Sequence, residues 1–341
     1  MNKFDERYEI RLAVESDIDA IMEFIGNVWK KDHILSRDRE YFVYEFSDDD
    51  HVNFILALDR KTGQIEAILG FLKSSEDPLK KDIWGSFWKV NDAHDNDKML
   101  GIELEKRVKE LTGCRYHNGI GINPHTAVPL VRLFLRNTVK KMDHYYMLNQ
   151  RMEEYKIAAI NDNVPQPTDL RAGNICRISD FNVIKKQFTF DGDQIPYKDG
   201  WYVEKKFFRN PKRDYHVYGI MPEDGNSLPA FFVTRECEAN GRKALRILDY
   251  YGDREVFAGI GRNLEELMAV NDYEYIDFYH YGFDEIYLKQ AGFVQRGEKD
   301  TNIIPNYFEP FVRENVDIWI HYEQEGTLFY KADGDQDREN I

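Results

Sequence analysis

The same order of strand and helix signals occurs twice along the chain, and this repetition constrains the fold more than any single motif does. In each half, strands joined by tight turns precede an amphipathic helix, which is followed by a strand, a second helix and closing strands. The order repeats although the sequence does not, so we interpret the halves as two related units. The chain is therefore predicted to form two α+β domains in tandem.

The first unit alternates helical and strand periodicities. Ser16 is predicted to cap the first long helix, and Ser36–Phe46 to form a second helix with an aromatic face. A later helix repeats apolar residues from Leu100 to Leu111 and is predicted to end at Gly113. The remaining predictions are strands at Val52–Leu58, Ile65–Leu72, Ile83–Val90, Arg115–Ile122 and Tyr145–Leu148, and a helix at Thr126–Leu135.

A linker separates this unit from the second. Residues 149–175 lose their periodicity and include Asn161-Asp162-Asn163-Val164-Pro165-Gln166-Pro167, a run of turn-forming residues. The predicted boundaries are a first domain at 1–150, a linker at 151–175 and a second domain at 176–341. Predictions for the second domain are helices at Trp201–Phe208, Phe257–Leu267 and Glu285–Gln290, and strands at Tyr215–Ile220, Ala230–Arg235, Ala244–Tyr250, Tyr275–Tyr279, Ile318–Tyr322 and Leu328–Tyr330.

Composition excludes several classes of function. The chain of 341 residues is 42% hydrophobic and 14% aromatic, which is enough for packed cores. Its net charge of −15 argues against a nucleic-acid partner, since such binding relies on Lys and Arg to neutralise phosphates. Three distant cysteines (Cys114, Cys176 and Cys237) fit neither a disulfide framework nor a metal site. Without an apolar leader or span, we expect a cytoplasmic protein with no metal and no membrane partner.

The most informative stretch runs from the strand at Trp84–Val90, through a polar loop, to a helix that begins near Leu100. Lys98 and Gly101 lie at the start of this helix. Backbone N–H groups in a first helical turn have no intrahelical partner and can bind an anion, and a glycine lets a diphosphate approach closely. The alternative is an ordinary helix start with one glycine required for packing.

This strand, loop and helix resemble the pyrophosphate-binding segment of the GNAT superfamily of CoA-dependent N-acyltransferases. The superfamily pattern is (Gln/Arg)-x-x-Gly-x-(Gly/Ala). Lys98-x-x-Gly101-x-Glu103 keeps a cation and the middle glycine but differs from the pattern at both ends, with Lys98 at the first position and Glu103 at the last. The resemblance covers the first 147 residues. The second half is also similar to a GNAT unit, with Gly259-Ile260-Gly261 before a helix and a later helix that ends in Gly292-Phe293.

As tandem GNAT-like domains, each a mixed and mainly antiparallel sheet flanked by helices, the chain resembles the nucleotide-sugar N-acyltransferases of bacterial surface-glycan pathways, such as the N-acyltransferase of anthrose biosynthesis. The resemblance implies transfer of an acyl group from a coenzyme A thioester to the amine of a dTDP- or UDP-linked amino sugar. Acyl-CoA would then be the co-substrate and the nucleotide-sugar the acceptor, and the amine would attack the thioester directly.

The resemblance also implies positions for coenzyme A. Backbone groups of Lys89 and Val90 would bind the pantetheine amides, and Asn123 would contact the CoA arm after the next strand. The glycines of Gly119-Ile120-Gly121 indicate a close backbone approach where the thioester could lie. The predicted pyrophosphate ligands are Lys98, Leu100, Gly101 and Ile102.

Candidate catalytic groups lie on the same strand and loop. Ser86 shares a strand face with Trp84 and Trp88, and the loop contains titratable side chains that could accept the proton of an amine. The predicted set is Ser86, Asp92, His94 and Asp97. Many superfamily members protonate the leaving thiolate with a tyrosine in the next helix, and Val131 occupies the matching position here.

The acceptor is predicted to lie in a seam between the domains, because aromatic faces pack on sugars and bases. The predicted acceptor-binding residues are His280, Tyr281, Phe308, Glu309, Phe311 and Asn315.

The sequence is compatible with several alternatives. The acceptor could be an aminoglycoside, a polyamine or a protein lysine, or the chain could bind a ligand without catalysis. Coenzyme A could occupy the second half, where Arg254 precedes Gly259–Gly261. The acidic run Asp333–Asp337 lacks the spacing of a calcium loop and is predicted to be a solvated tail or a segment folded onto the seam that binds the ligand. The oligomeric state is not predicted.

Overall fold

The computed structural model describes residues 2–48, 50–162, 164–165, 167–222, 227–297 and 300–338. None of the helices in these ranges combines the length and the apolar character that a membrane span requires. The strands are β1 (Tyr8–Ala13), β2 (Val52–Asp59), β3 (Ile65–Lys73), β4 (Ile83–Val90), β5 (His117–Ile120), β6 (Thr138–Lys141), β7 (Asp143–Leu148), β8 (Asn174–Ile178), β9 (His216–Met221), β10 (Ala230–Ala239), β11 (Arg242–Gly252), β12 (Tyr273–Tyr281), β13 (Val294–Gln295), β14 (Tyr307–Phe308), β15 (Phe311–Val312), β16 (Trp319–Tyr322) and β17 (Phe329–Tyr330).

Helices flank the sheets that these strands form. The α-helices are α1 (Lys3–Arg7), α2 (Ile18–Phe24), α3 (Ile34–Arg37), α4 (Arg39–Phe46), α5 (Leu100–Thr112), α6 (Ala127–Leu130), α7 (Phe181–Gln187), α8 (Gly200–Val203), α9 (Gly261–Asn271) and α10 (Glu285–Gln290). Single π-type turns extend α2, α6 and α8, at Ile25–Trp29, Val131–Leu135 and Glu204–Phe208. Short 3₁₀ turns precede α2 and α9, at Glu15–Asp17 and Glu255–Gly259.

Each unit is built on one large sheet. In the described residues the first sheet has the order β1-β2-β3-β4-β5-β16-β6, and the second has the order β8-β9-β10-β11-β12-β7-β13. Neighbouring strands are antiparallel except that β4 pairs with β5, and β11 with β12, in parallel. Parallel neighbours need a long crossover connection, which is usually a helix, and α5 and α9 provide it here. The twofold order predicted from the sequence is confirmed at the level of sheet topology.

The units exchange one strand each. Strand β16, from the end of the chain, lies between β5 and β6 of the first sheet. Strand β7, from the first half, lies between β12 and β13 of the second sheet. Each sheet is therefore completed by the other half, and the predicted ranges 1–150 and 176–341 do not coincide with the sheets at β7 and β16. Local sequence patterns identify strands but not their partners, which explains why this exchange was not predicted.

Four cores of packed side chains stabilise the units. One core lies between the sheets and includes Trp84 and Ile320 from the first and Phe231 and Tyr279 from the second. The first sheet packs α2, α3 and α4 on one face and α1 and α5 on the other. The second sheet packs α9 and α10 over a core centred on Phe257.

Most predicted elements are confirmed, and the exceptions have local causes. Ser16 lies within the 3₁₀ turn and does not cap α2; Asp17 instead accepts a hydrogen bond from the Val14 N–H at 2.8 Å. The predicted helix at Ser36–Phe46 is interrupted at Asp38, which caps α4 by accepting from the Tyr41 N–H. Strands β6 and β8 and helix α7 were not predicted, because they are short and largely exposed and so lack a clear apolar period.

Candidate active site

A cavity of about 540 Å³ opens between β4 and β5. The strands pair only over Ile83–Gly85 and His117–Gly119 and diverge beyond them. On its other edge β4 carries a bulge, since it has one residue more than β3 between the pairs Leu69↔Trp88 and Phe71↔Gly85. A bulge bends a strand and re-aims its side chains. The open edge of β4, the start of α5 and the residues after β5 therefore form the walls of one cleft.

The first turn of α5 faces this cleft. Asp97 accepts a hydrogen bond from the Met99 N–H at 2.9 Å, which orients the turn. Met99 is the N-cap residue of α5, and within the described residues its side chain makes no hydrogen bond to the helix. Gly101 packs directly against β4: a Cβ there would lie 2.9 Å from Trp88 Nε1, and that nitrogen donates to the Gly101 carbonyl at 3.0 Å. The glycine is thus needed for packing and also leaves the backbone accessible from the cleft.

The structure brings most of the predicted coenzyme A residues together. Those that line the cavity are Lys89, Val90, Lys98, Gly101, Ile102 and Asn123. Leu100 does not line it, because its side chain is fully buried between α5 and the sheet. Asn123 caps the turn that leads to α6 by accepting from the N–H groups of His125 and Thr126 at 2.9 and 3.1 Å.

Ser86 lies beside the carboxylate of a residue that sequence analysis did not assign to the site. Its hydroxyl donates to Asp335 Oδ2 at 2.6 Å and accepts from Arg338 Nη2 at 3.0 Å. Arg338 also pairs with Asp335 and lies 3.6 Å from Glu45. Trp29, 42% exposed, forms the neighbouring wall of the cavity, with its ring edge-on to Phe87.

The three predicted catalytic groups of the loop lie farther from this point. Asp92 lines the cavity but is paired with Lys89. Glu66 accepts from His94 Nδ1 at 3.0 Å, and Asp97 pairs with Lys3 at 2.7 Å; neither His94 nor Asp97 lines the cavity. The contacts of His94 and Asp97 hold the loop against the first unit, which is a structural role.

The floor of the cleft carries a polar cluster that sequence analysis missed. Glu105 of α5, His117 of β5 and His321 of β16 all line the cavity and are almost fully buried. Glu105 Oε2 lies 3.3 Å from His117 Nδ1, and the His117 and His321 rings meet edge-on with centroids 5.8 Å apart. Gly119 makes room for this cluster, because a Cβ there would lie 2.2 Å from His321 Nε2.

Burial controls the protonation of this cluster. Desolvation, with a smaller contribution from Glu323, raises the pKa of the Glu105 carboxyl to about 8. Desolvation also lowers the pKa of His117 to about 3, helped by His321 and Lys109, and that of His321 to about 4. At neutral pH the cleft floor therefore holds a protonated carboxyl and two neutral imidazoles.

The six predicted acceptor residues do not line this cavity, although all lie in the described part of the chain. His280 is buried in the second sheet and stacks on Tyr145, and the Tyr281 hydroxyl bonds that of Tyr322 at 2.8 Å. Asn315 accepts from the Ile304 N–H at 3.0 Å and so holds a loop. Phe308 and Phe311 form a small hairpin whose turn contains Glu309, which lines a separate cavity.

No family model and no curated protein matches the chain. Similar solved structures do exist. A conserved protein of unknown function from Enterococcus faecalis V583, described as a probable N-acyltransferase, is 9% identical with a TM-score of 0.56, covering 92% of this chain and 71% of that chain. A GCN5-related N-acetyltransferase from Anabaena variabilis ATCC 29413 is 9% identical with a TM-score of 0.51, covering 92% and 72%. The chain has a tandem GNAT fold. This confirms the predicted fold class.

A third similar structure is the N-myristoyltransferase of Saccharomyces cerevisiae with bound myristoyl-CoA. It is 9% identical with a TM-score of 0.48, covering 98% of this chain and 84% of that chain.

The second GNAT unit has the same bulged strand and parallel pair, but its gap is filled. Strand β11 bulges between Ile247 and Asp249, as β4 does at Ser86. Beyond the parallel pairing, β17 pairs with β12, and the Ala332 N–H donates to the Leu248 carbonyl of β11 at 2.8 Å. The end of the chain thus occupies the position that is a cleft in the first unit.

A buried ion cluster holds this segment, β17 and the residues after it (the tail), in the gap. Lys198 Nζ lies 2.8 Å from Asp249 and 2.5 Å from Asp333, and all three side chains are inaccessible to solvent. Asp337 is also buried, between Tyr215 and the guanidinium of Arg213. Of the two interpretations of Asp333–Asp337 drawn from the sequence, the solvated tail is wrong. Asp333 and Asp337 are buried against the second unit, and Asp335 reaches Ser86 of the first unit.

The missed residues share one property. Glu105, His117, His321 and Asp335 are distant in sequence and meet only through the parallel crossover, the exchanged strand and the returning tail. The only sequence signal was the alternation of acids in Asp333–Asp337. In the described residues, no group of three His, Cys, Asp or Glu side chains is arranged to hold a metal.

Proposed function

We propose that the protein is an acyl-CoA-dependent N-acyltransferase that uses the cleft of its first GNAT unit. One observation carries this proposal: a single cavity joins the uncapped start of α5 to the open edge of β4 and to Ser86. The fold of the similar structures is compatible with it. The filled gap of the second unit supports the first unit as the site, because β17 and Ala332 occupy the corresponding space.

Coenzyme A would bind along the cleft wall. The free amides of the first turn of α5, at Gly101 and Ile102, would hold the diphosphate, and the exposed Lys98 would add a positive charge. The pantetheine arm would run along the unpaired edge of β4 as an added strand would, near Lys89 and Val90. This arrangement brings the thioester to the point where β4 and β5 separate, at Gly85 and Gly119.

Acyl transfer would proceed by direct attack of a neutral amine on the thioester carbonyl. The new C–N bond forms, the C–S bond breaks, and its electron pair leaves with sulfur. The amine must lose a proton, and the Asp335 carboxylate, 2.6 Å from Ser86 Oγ, is placed to accept it through the serine hydroxyl. Arg338 holds both groups in this geometry through its contacts with them.

For the acceptor we propose the amine of a nucleotide-linked amino sugar, of the kind used in bacterial surface-glycan synthesis. Sequence resemblance is the main support, and the exposed ring of Trp29 offers a face on which a sugar could pack. The sugar would lie against Trp29 and Ser86 and not against the six residues predicted from the sequence. An aminoglycoside, a polyamine or a protein lysine would be the competing acceptors.

Calorimetric titration with acetyl-CoA tests the donor site. We expect binding to the wild-type chain and about tenfold weaker binding to Lys98→Glu, because an attractive charge becomes a repulsive one near the diphosphate. Lys186→Glu, on the exposed face of α7, is the matched control and should bind normally. No heat with any acyl-CoA, or equal affinities for the two variants, would refute the site.

Release of the CoA thiol in the presence of separate amines tests the acceptor. We expect turnover with dTDP- or UDP-amino sugars and a large loss of kcat in Asp335→Asn with little change in acyl-CoA affinity. Turnover restricted to polyamines, aminoglycosides or peptides would replace the acceptor proposal. Binding without turnover on any amine would favour a ligand-binding protein.

A further inference from the structure

The floor of the cleft contains buried polar atoms that have no hydrogen-bond partner among the described residues. Glu105 Oε2 and His117 Nε2 are buried and have no hydrogen-bond partner in the described residues. The Glu105 oxygen lies 3.3 Å from His117 Nδ1 without the alignment of a hydrogen bond. Buried polar groups in native proteins are usually paired, so the unpaired His117 Nε2 indicates a partner that binds from the cavity.

His117 lies at the point where the strands part. Its Nε2 is 3.2 Å from the position that a Cβ of Gly85 would take, and Gly85 is the last β4 residue paired with β5. Side chains alternate across a strand, so the face that carries His117 at this point is opposite to that of Ser86. A thioester at the divergence would have Ser86 and Asp335 on one side and His117 on the other.

The two sides of the thioester face different proton transfers. The incoming amine loses a proton, and the departing sulfur gains one. At neutral pH His117 is neutral and can donate from Nε2, while Glu105 is protonated and can replace that proton at Nδ1. The charged or titratable groups that face this pair are His321 of β16, Glu323 after it and Lys109 of α5.

We propose that His117 protonates the departing CoA thiolate and that Glu105 supplies the proton to His117. The inference rests on the proposed acyltransferase function. As the C–S bond breaks, sulfur takes the Nε2 proton and Nδ1 takes the carboxyl proton of Glu105. The net products are the amide and the CoA thiol. Glu105 is left as a carboxylate and His117 as the tautomer with its proton on Nδ1. The cycle closes when the Nδ1 proton returns to Glu105 and Nε2 takes a proton from solvent, which receives the proton released by the amine through Ser86 and Asp335.

Single-turnover thiol release, followed from pH 6 to pH 10, tests the inference. The wild-type rate should fall above about pH 8 as Glu105 ionises, because its proton is then lost before the reaction. In Glu105→Gln the rate at pH 7 should be about 10 to 100 times lower and this basic limb should disappear. His117→Gln should also lower the rate, whereas acetyl-CoA affinity in both variants should stay within about twofold.

The controls separate this inference from the function on which it rests. Glu110→Gln changes an exposed carboxyl of the same helix and should keep both the rate and the basic limb. A wild-type chain that neither binds nor turns over acyl-CoA would overturn the function and the inference together. An active wild type whose Glu105→Gln and His117→Gln variants keep the rate and the limb would overturn only the inference. Thermal melts identify any variant that does not fold, in which case the other variant decides.

Discussion

At the scale of single residues, the cleft depends on glycines that make room for larger neighbours. Gly101 admits the indole of Trp88, and Gly119 admits the imidazole of His321. Gly121, with a φ of 72°, also lies under the Gln336 side chain of the returning tail. The sequence predicted a close approach to the backbone at Gly119 and Gly121, where the thioester could lie. The structure shows that the side chains of His321 and Gln336, from distant parts of the chain, approach these two glycines.

We expect Gly119→Ala to destabilise the protein by about 1–3 kcal/mol, because its methyl group would overlap the buried His321 ring. Urea denaturation would measure the loss, and acetyl-CoA titration would show the deformation of the cleft. The control is Gly259→Ala, since a Cβ at Gly259 would meet no heavy atom within 4 Å. Equal stabilities for the two variants would contradict the packing described at Gly119.

Glu105 should make stability pH-dependent. The unfolded chain loses this proton near pH 4.5, whereas the folded protein keeps it to about pH 8. The folded state binds more protons in this window, so the free energy of unfolding should fall as pH rises, by at most about 1.4 kcal/mol per pH unit. Glu105→Gln should remove that slope in urea denaturation at pH 6, 7 and 8. An unchanged slope would mean that Glu105 ionises normally.

At the scale of secondary structure, the position of the cleft is set by where strands and helices begin and end. The β4 bulge separates β4 from β5, and Asp97 fixes the start of α5 at the resulting cleft. In the second unit the equivalent gap is closed by β17 and the residues after it, which then continue to Ser86. The tail therefore fills one gap and supplies a carboxylate to the other.

We expect Lys198→Met to destabilise the protein by about 3–5 kcal/mol, because it leaves the buried carboxylates of Asp249 and Asp333 without their cation. Thiol release should also fall, since Asp335 would no longer be anchored beside Ser86. Lys289→Met, which breaks an exposed pair with Glu285, is the control and should cost less than about 1 kcal/mol in urea denaturation. A loss no greater than that of the control would show that the cluster does not fix the tail.

At the scale of the whole molecule, the exchanged strands make the two GNAT units interdependent. A fragment of residues 1–150 lacks β16, which lies between β5 and β6, and a fragment of residues 151–341 lacks β7, which lies between β12 and β13. We expect neither fragment to fold alone and the pair to reconstitute a folded complex when co-expressed. Circular dichroism and amide NMR dispersion would measure this. A cooperative melt from either fragment alone would contradict it.

Coenzyme A should bind with a stoichiometry of one per chain. Among the described residues, the gap between the parallel strands is open only in the first unit, because the chain itself fills the gap between β11 and β12. Calorimetry with acetyl-CoA at known protein concentration measures the ratio. Two sites per chain would show that the tail leaves the second gap in solution.

The sequence by itself determined most of the succession of elements, the ends of α5 and the limits of β4. These depend on local periods and on single capping or turn residues, which act over a few positions. It also placed Ser86, Lys98 and Gly101 on the elements that form the cleft wall. The predicted seam of aromatic residues was drawn from composition, and most of those rings are core residues of the second unit.

Only the tertiary structure decided which strands pair, which gap stays open and which carboxylate reaches Ser86. Ser86 and Asp335 are 249 positions apart, and β16 and β7 each cross to the sheet of the other half. The free energy of such contacts depends on the burial of whole sheet faces and on the cost of leaving strand edges and charges unpaired. Residues from the whole chain contribute to that free energy, so a local sequence pattern cannot predict the contacts.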